Sequence, residues 1–174
     1  MIQKKICMVG AFGVGKTSLV TRFVQSIFSE KYLTTVGVKI DKKQVVIDGE
    51  EMTLMLWDLA GKDAVTEVKP EHLRGASGYI LVVDGTRRET LLSAIELHAR
   101  CSEVTSDAPF TLVVNKSDLR QQWELGDADF SSLKSWTLVF SSAKTGEGVE
   151  QLFTDLATRM LRKGYGQSAA APAR

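Results

Sequence analysis

The stretch Gly10-Ala11-Phe12-Gly13-Val14-Gly15-Lys16-Thr17 limits what this chain can fold into more than any other feature of its sequence. Before it, Ile2 to Val9 reads as a strand whose second half, Ile6-Cys7-Met8-Val9, is continuously apolar, as in a parallel strand buried on both faces. After it, Leu19, Val20, Phe23, Val24 and Ile27 recur at helical spacing and predict one apolar helix face. A glycine, four residues, a second glycine, then lysine and threonine, set between such a strand and such a helix, turn successive backbone N–H groups toward a phosphate. The helix N-terminus adds its dipole. Lys16 is placed to reach the β- and γ-phosphates, and the Thr17 hydroxyl can ligate Mg²⁺. The loop specifies a nucleoside triphosphate without saying which one.

The rest of the chain has the punctuation of an α/β fold. Val36, Val38 and Ile40, then Val45 and Ile47, alternate with polar residues, as do Met52, Leu54 and Leu56. Asp48-Gly49 between them can supply the positive φ angles of a tight hairpin, so this pair is predicted antiparallel. Tyr79 to Val83 and Phe110 to Val114 read as central strands, with Pro109 at a position that needs no donor. Leu91, Ala94, Ile95 and Ala99 predict a helical stripe. Thr137 to Phe140 reads as a short last strand, and Val149, Leu152, Phe153, Leu156 and Met160 mark a final helix. The order β-α-β-β-α-β-α-β-α-β-α predicts a six-stranded, mostly parallel sheet with one antiparallel edge strand and helices on both faces. One domain over residues 1–163 is expected, followed by a disordered tail, 164–174, rich in Gly, Ala and Ser.

Charge excludes one class of partner. With 22 basic against 21 acidic side chains the net charge is +1, so no nucleic-acid surface is expected. Lys42-Lys43 is read as a solvated face. Cys7 and Cys101 fall in apolar settings and are expected as buried free thiols in a reducing, cytoplasmic setting. No apolar run is long enough for a membrane helix, residue 2 is not the glycine of a myristoylation site, and Pro172-Ala173-Arg174 offers no cysteine to prenylate. No direct membrane anchor is expected, and the chain is expected to be a monomer.

A second motif, Asn115-Lys116-Ser117-Asp118, directly follows the strand Phe110 to Val114, and the last strand runs into Ser141-Ser142-Ala143-Lys144. Ligands of parallel sheets bind at the strands' carboxyl ends, which is where both segments fall. With Gly10 to Thr17, Thr35, Asp58-Leu59-Ala60-Gly61, Asn115 to Asp118 and Ser142 to Lys144 in this order, the chain resembles the Ras-like small GTPases over about residues 2 to 163. Tyr32 to Gly37, Leu56-Trp57-Asp58 and Arg74-Gly75-Ala76 resemble the Rab branch most closely.

The resemblance implies a P-loop G domain that binds Mg²⁺ with GTP or GDP. Gly10, Gly13, Val14, Gly15, Lys16, Thr17 and Ser18 would hold the phosphates. Asp118 would accept two hydrogens from guanine, where adenine would leave its acceptors unpaired. Asn115 would support the loop and touch the base, Lys116 would lie along base and sugar, and the Ala143 N–H would donate to the guanine oxygen. Ser142 and Lys144 would complete the site, with Phe28 edge-on to the base. Thr17, Thr35 and Asp58 would hold Mg²⁺, Asp58 through water. Thr35 and Gly61 would tether the γ-phosphate through backbone N–H groups, so its loss would free switch I (28–38) and switch II (61–75). Effectors, exchange factors and activators would read those two segments and Trp57.

Two positions depart from the family. Lys62 stands where most members have a glutamine that orients the attacking water, and an ammonium cannot accept from water. Phe12 stands where a glycine or another small residue is usual, and its ring would crowd an incoming arginine finger. With Lys16, Thr35, Gly61 and Lys62 as the catalytic set, slow GTP hydrolysis is expected, with Asp63 or Glu67 as substitutes for placing water. The competing reading is an interaction module that stays GTP-loaded and hardly cycles. A small-molecule kinase is a third, but no substrate lid is visible in the sequence.

Overall fold

The computed structural model describes residues 1–28, 37–59 and 68–169. Its centre is a six-stranded sheet in the order β2-β3-β1-β4-β5-β6. The strands are β1 (Ile2–Val9), β2 (Val38–Ile47), β3 (Glu50–Leu59), β4 (Gly78–Asp84), β5 (Phe110–Asn115) and β6 (Leu138–Phe140). Only the β2–β3 pair is antiparallel; β1 runs parallel to both β3 and β4, and β5 runs parallel to β4 and β6. The hairpin between β2 and β3 turns at Asp48 (φ 51°) and Gly49 (φ 84°), the left-handed pair expected of that dipeptide.

Among the described residues, five α-helices flank the sheet: α1 (Lys16–Gln25), α2 (Pro70–Leu73), α3 (Glu89–Thr105), α4 (Asp127–Phe130) and α5 (Val149–Ala169). The period-2 alternation of the buried strands sorts their side chains between two cores. Ile6, Met8, Ile80, Val82 and Val113 point to one face, where α1 and α5 supply Leu19, Phe23, Leu152, Phe153 and Leu156. Cys7, Val9, Leu81, Val83, Leu112 and Val114 point to the other, against Leu73 of α2 and Leu91, Ala94, Leu97 and Cys101 of α3. All seven residues of β4 are buried, which is why that run has no polar alternation. Cys7 and Cys101 are buried free thiols, as their surroundings in the sequence implied. Phe23 and Phe153 stack with ring centroids 4.2 Å apart and join α1 to α5.

Several boundaries differ from the sequence expectations. α1 stops at Gln25, with Ser26 left-handed at its end, so Ile27 lies outside the helix and is exposed. The buried stripe of α3 is Thr90, Leu91, Ala94, Leu97 and Cys101, while Ile95 and Ala99 face solvent. Ile40 is also exposed, on the outer strand. Lys43 is not simply solvated: its ammonium sits 4.0 Å over the Phe23 ring, whereas Lys42 is exposed. α5 continues to Ala169, past the boundary expected at residue 163, so the first residues assigned to a disordered tail are helical. Val36 and residues 170–174 lie outside the described residues. Among the described residues, no helix is long and apolar enough to cross a membrane.

Candidate functional site

Four parallel strands end at one edge of the sheet, and their last residues assemble the site. β1 runs into the phosphate loop, β3 ends beside Asp58, and β4 and β5 end on Asp84 and Asn115, which are direct register partners. The loop's shape depends on glycine. Gly13 has φ 74° and Gly15 φ 106°, both in the left-handed region that side chains disfavour. A Cβ on Gly15 would lie 2.2 Å from Asn115 Nδ2, and one on Gly10 would lie 2.4 Å from the Val82 carbonyl oxygen. Gly15 caps α1 without any side-chain hydrogen bond, so the N-terminal dipole of that helix is uncovered by a cap side chain.

Lys16 is only 7% exposed. Its ammonium donates to the carbonyls of Gly10 (2.7 Å) and Ala11 (2.9 Å), folding back across the loop. Burial pulls its pKa down to about 8, partly offset by the Asp58 charge and reinforced by Arg87. Between about pH 8 and the ordinary lysine value near 10.5 the unfolded chain is protonated and the native one is not, so stability rises with pH across that window. Below pH 8 both states carry the charge and the full burial cost remains, about 3 kcal/mol at most. Denaturant midpoints of nucleotide-free protein should therefore rise between pH 8 and 9, before the buried thiols of Cys7 and Cys101, which burial raises from 9.0 to about 12, begin to lower stability, and Lys16→Met should remove that rise. An equal slope in both proteins would contradict the assignment.

The Thr17 hydroxyl donates to Asp58 Oδ2 at 2.5 Å, across from α1 to β3. A hydroxyl and a buried carboxylate side by side are hard oxygen donors suited to Mg²⁺, which uses one or two protein ligands and completes its shell with water and phosphate oxygens. Among the described residues no group of three or more His, Cys, Asp or Glu side chains could form a protein-only metal cage. The donor set thus fits Mg²⁺. Ser18 is half-buried in the first turn of α1, and Val14 is fully buried beneath the loop.

The second motif is bolted to the first. Asn115 Nδ2 donates to the Val14 carbonyl at 3.0 Å, and its Oδ1 accepts from Ser141 Oγ and the Ala143 N–H, each at 3.2 Å. Lys116, left-handed at φ 67°, donates from Nζ to the Gly13 carbonyl at 3.1 Å. Asp118 Oδ1 accepts from Ser142 Oγ at 2.6 Å, which orients the carboxylate in an exposed position. The Lys144 carbonyl accepts from Arg22 Nη2 at 3.0 Å, bracing the last segment against α1. Phe28 is 37% exposed, so it is not a core aromatic. The structure therefore brings together Gly10, Gly13, Val14, Gly15, Lys16, Thr17, Ser18, Asp58, Asn115, Lys116, Asp118, Ser142, Ala143 and Lys144. Thr35, Gly61, Lys62, Asp63 and Glu67 lie outside the described residues.

Sequence reasoning passed over Asp84. It is 1% exposed and receives Lys116 Nζ at 2.6 Å, Thr86 Oγ1 at 2.7 Å and Arg87 Nε at 3.1 Å. Burial alone would push its carboxyl up, but the Lys116 and Thr86 hydrogen bonds and the Lys116 charge outweigh it and hold the group below the usual carboxylate range. Trp123 was also missed. Its indole N–H donates to the Lys116 carbonyl at 2.9 Å, and its ring lies so close to Gly85 that a Cβ there would be 2.2 Å away. The signal available was position: an aspartate ending an otherwise apolar strand beside the one that carries Asn115.

A glycine-lined loop at the carboxyl edge of this sheet order, tied to an Asn-Lys-Ser-Asp turn, defines a P-loop fold of the GTPase class. The sequence profile of the Ras family matches residues 5–162, and the chain belongs to that family as a Rab-like small GTPase. It is 35% identical to Ras-related protein SEC4 of Saccharomyces cerevisiae, over 91% of this chain and 75% of that protein. It is 35% identical to human Ras-related protein Rab-30, over 90% of this chain and 79% of that one. Ras-related protein Rab-18-B of Danio rerio is also 35% identical, over 91% and 79%.

Proposed function

We propose that this chain binds GTP or GDP with Mg²⁺ across the two motifs and acts as a slowly hydrolysing switch. The observation that carries this is the Asn115–Val14 hydrogen bond, which fixes a guanine-reading turn at a set distance from a phosphate cradle. Lys16 exchanges two peptide carbonyls for phosphate oxygens, which are stronger acceptors for an ammonium. Thr17, Asp58 and Thr35 would hold the Mg²⁺ ion, which would supply neutralisation of phosphate charge. Asp118, set by Ser142, reads the base; Asn115, Lys116, Ala143, Lys144 and Phe28 surround it. Thr35 and Gly61 report the γ-phosphate, and segments 28–38 and 61–75 offer the result to effectors, exchange factors and activators. The protein works as a cytoplasmic monomer.

Low turnover follows from two residues. Lys62 cannot accept a hydrogen bond from the attacking water. Phe12 is 47% exposed at the loop, a bulky ring beside the place of the terminal phosphate. Single-turnover GTP cleavage by purified protein should be slow, and Lys62→Gln should raise it by roughly tenfold or more, within the ~10⁵ range separating activated from unactivated family members. A family-normal rate that neither Lys62→Ala nor Phe12→Gly changes would refute the slow-hydrolysis reading. The exposed Phe12 ring also favours the second reading, a module that stays GTP-loaded. GDP recovered with the purified protein would weigh against that second reading.

A further inference from the structure

Three consecutive carbonyls of the phosphate loop carry two cations. The Lys16 ammonium lies on those of Gly10 and Ala11, and Arg87 Nη2 donates to that of Phe12 at 2.7 Å. Arg87 comes from the turn between β4 and α3, and its Nε is anchored on Asp84 Oδ2 at 3.1 Å. Lys116 Nζ shares that oxygen at 2.6 Å, and Glu89 Oε1 lies 3.9 Å from Nη1 on the exposed side. The two cations thus lie on adjacent carbonyls of one loop, those of Ala11 and Phe12. Like charges held beside neutral acceptors are relieved by an anion that both can reach, and phosphate oxygens are better acceptors than peptide carbonyls.

We propose that Arg87 is a ligand of the terminal phosphate of the bound nucleotide, a cation supplied by the chain itself to the same loop that holds Lys16. The proposal rests on the guanine-nucleotide reading above. The guanidinium suits the task because one edge can stay on Asp84 while the Nη donors fork onto phosphate oxygens. Phe12 does not stand in its way. An arginine arriving from outside would meet the exposed Phe12 ring, but Arg87, on the turn after β4, already donates to the Phe12 carbonyl.

The test compares GDP with a non-hydrolysable GTP analogue, titrated onto full-length protein stripped of nucleotide, in the presence of Mg²⁺. Arg87→Ala should weaken the triphosphate analogue by roughly tenfold to a hundredfold, the worth of a charged hydrogen bond, and barely alter GDP. Arg87→Lys should recover part of the loss. Equal losses for both nucleotides, or none, would mean that Arg87 only braces the loop, and would overturn the proposal. Should Arg87→Ala fail to fold, phosphorus NMR of the analogue on wild type and Arg87→Lys decides: a change confined to the γ resonance is expected, and an unchanged γ resonance overturns it. Wild-type protein that binds neither nucleotide is a different result, which sinks the guanine reading and this inference with it.

Discussion

Asp118→Asn is expected to move base preference from guanine toward xanthine by about 10⁴-fold, the scale on which a site built for particular hydrogen bonds rejects the wrong partner. A carboxylate offers acceptors only, so it matches the two donors on guanine's edge. Ser142 Oγ holds Oδ1 at 2.6 Å, which fixes the plane of that group. An amide in the same plane would present one acceptor and one donor. It would oppose a donor to guanine's exocyclic amine, and it would match the carbonyl that xanthine carries instead. The fold should be untouched, because Asp118 is exposed and its substitution is isosteric. Competition of xanthosine and guanosine diphosphates for the variant measures the shift. An unaltered preference would remove Asp118 from the base site.

Gly15→Ala is expected to abolish measurable nucleotide binding and to cost about 2–4 kcal/mol of stability. Two effects combine. At φ 106° an alanine is strained, and its methyl would sit 2.2 Å from Asn115 Nδ2. Asn115 is buried and cannot swing into solvent without abandoning Val14, Ser141 and Ala143 together. Gly49→Ala is the control. It shares the left-handed backbone, but nothing lies within 4 Å of its added Cβ. It should cost about 1 kcal/mol and leave binding intact. Denaturant melts and nucleotide titrations on both variants separate backbone strain from loss of the site. If Gly15→Ala behaved like Gly49→Ala, the contact with Asn115 would carry no weight.

How much of this was legible in the sequence depends on the kind of signal. Ile6 to Val9, Tyr79 to Val83 and Phe110 to Val114 announced buried parallel strands because such strands have no solvent face to fill with polar residues. The hairpin followed from Asp48-Gly49, whose conformations are local. The stripe of α3 was misread because Ile95 and Ala99 are apolar without being inward. A helix face is decided by what it packs on, and here Leu97 and Cys101 meet β4's far side. The end of α5 was not legible from composition: residues 164–169 are helical although Gly164 and Gly166 are poor helix formers, because extending a helix already started needs no new nucleus. The phosphate loop and the Asn115 turn were legible as motifs. Their mutual wiring was not, because it runs between residues about a hundred positions apart. Asp84 and Arg87 carry no motif at all; only the register of β4 on β5 puts them there.

The ties from Asn115 to Val14 and from Lys116 to Gly13 have a kinetic meaning. They work as two rungs of one ladder, so the halves of a bound molecule cannot be let go one after the other at leisure. For a nucleotide held across both motifs, as proposed, escape would need a fluctuation that strains both rungs, so slow release would not require any single contact to be strong. A helper protein that pried at either rung would loosen the whole grip at once.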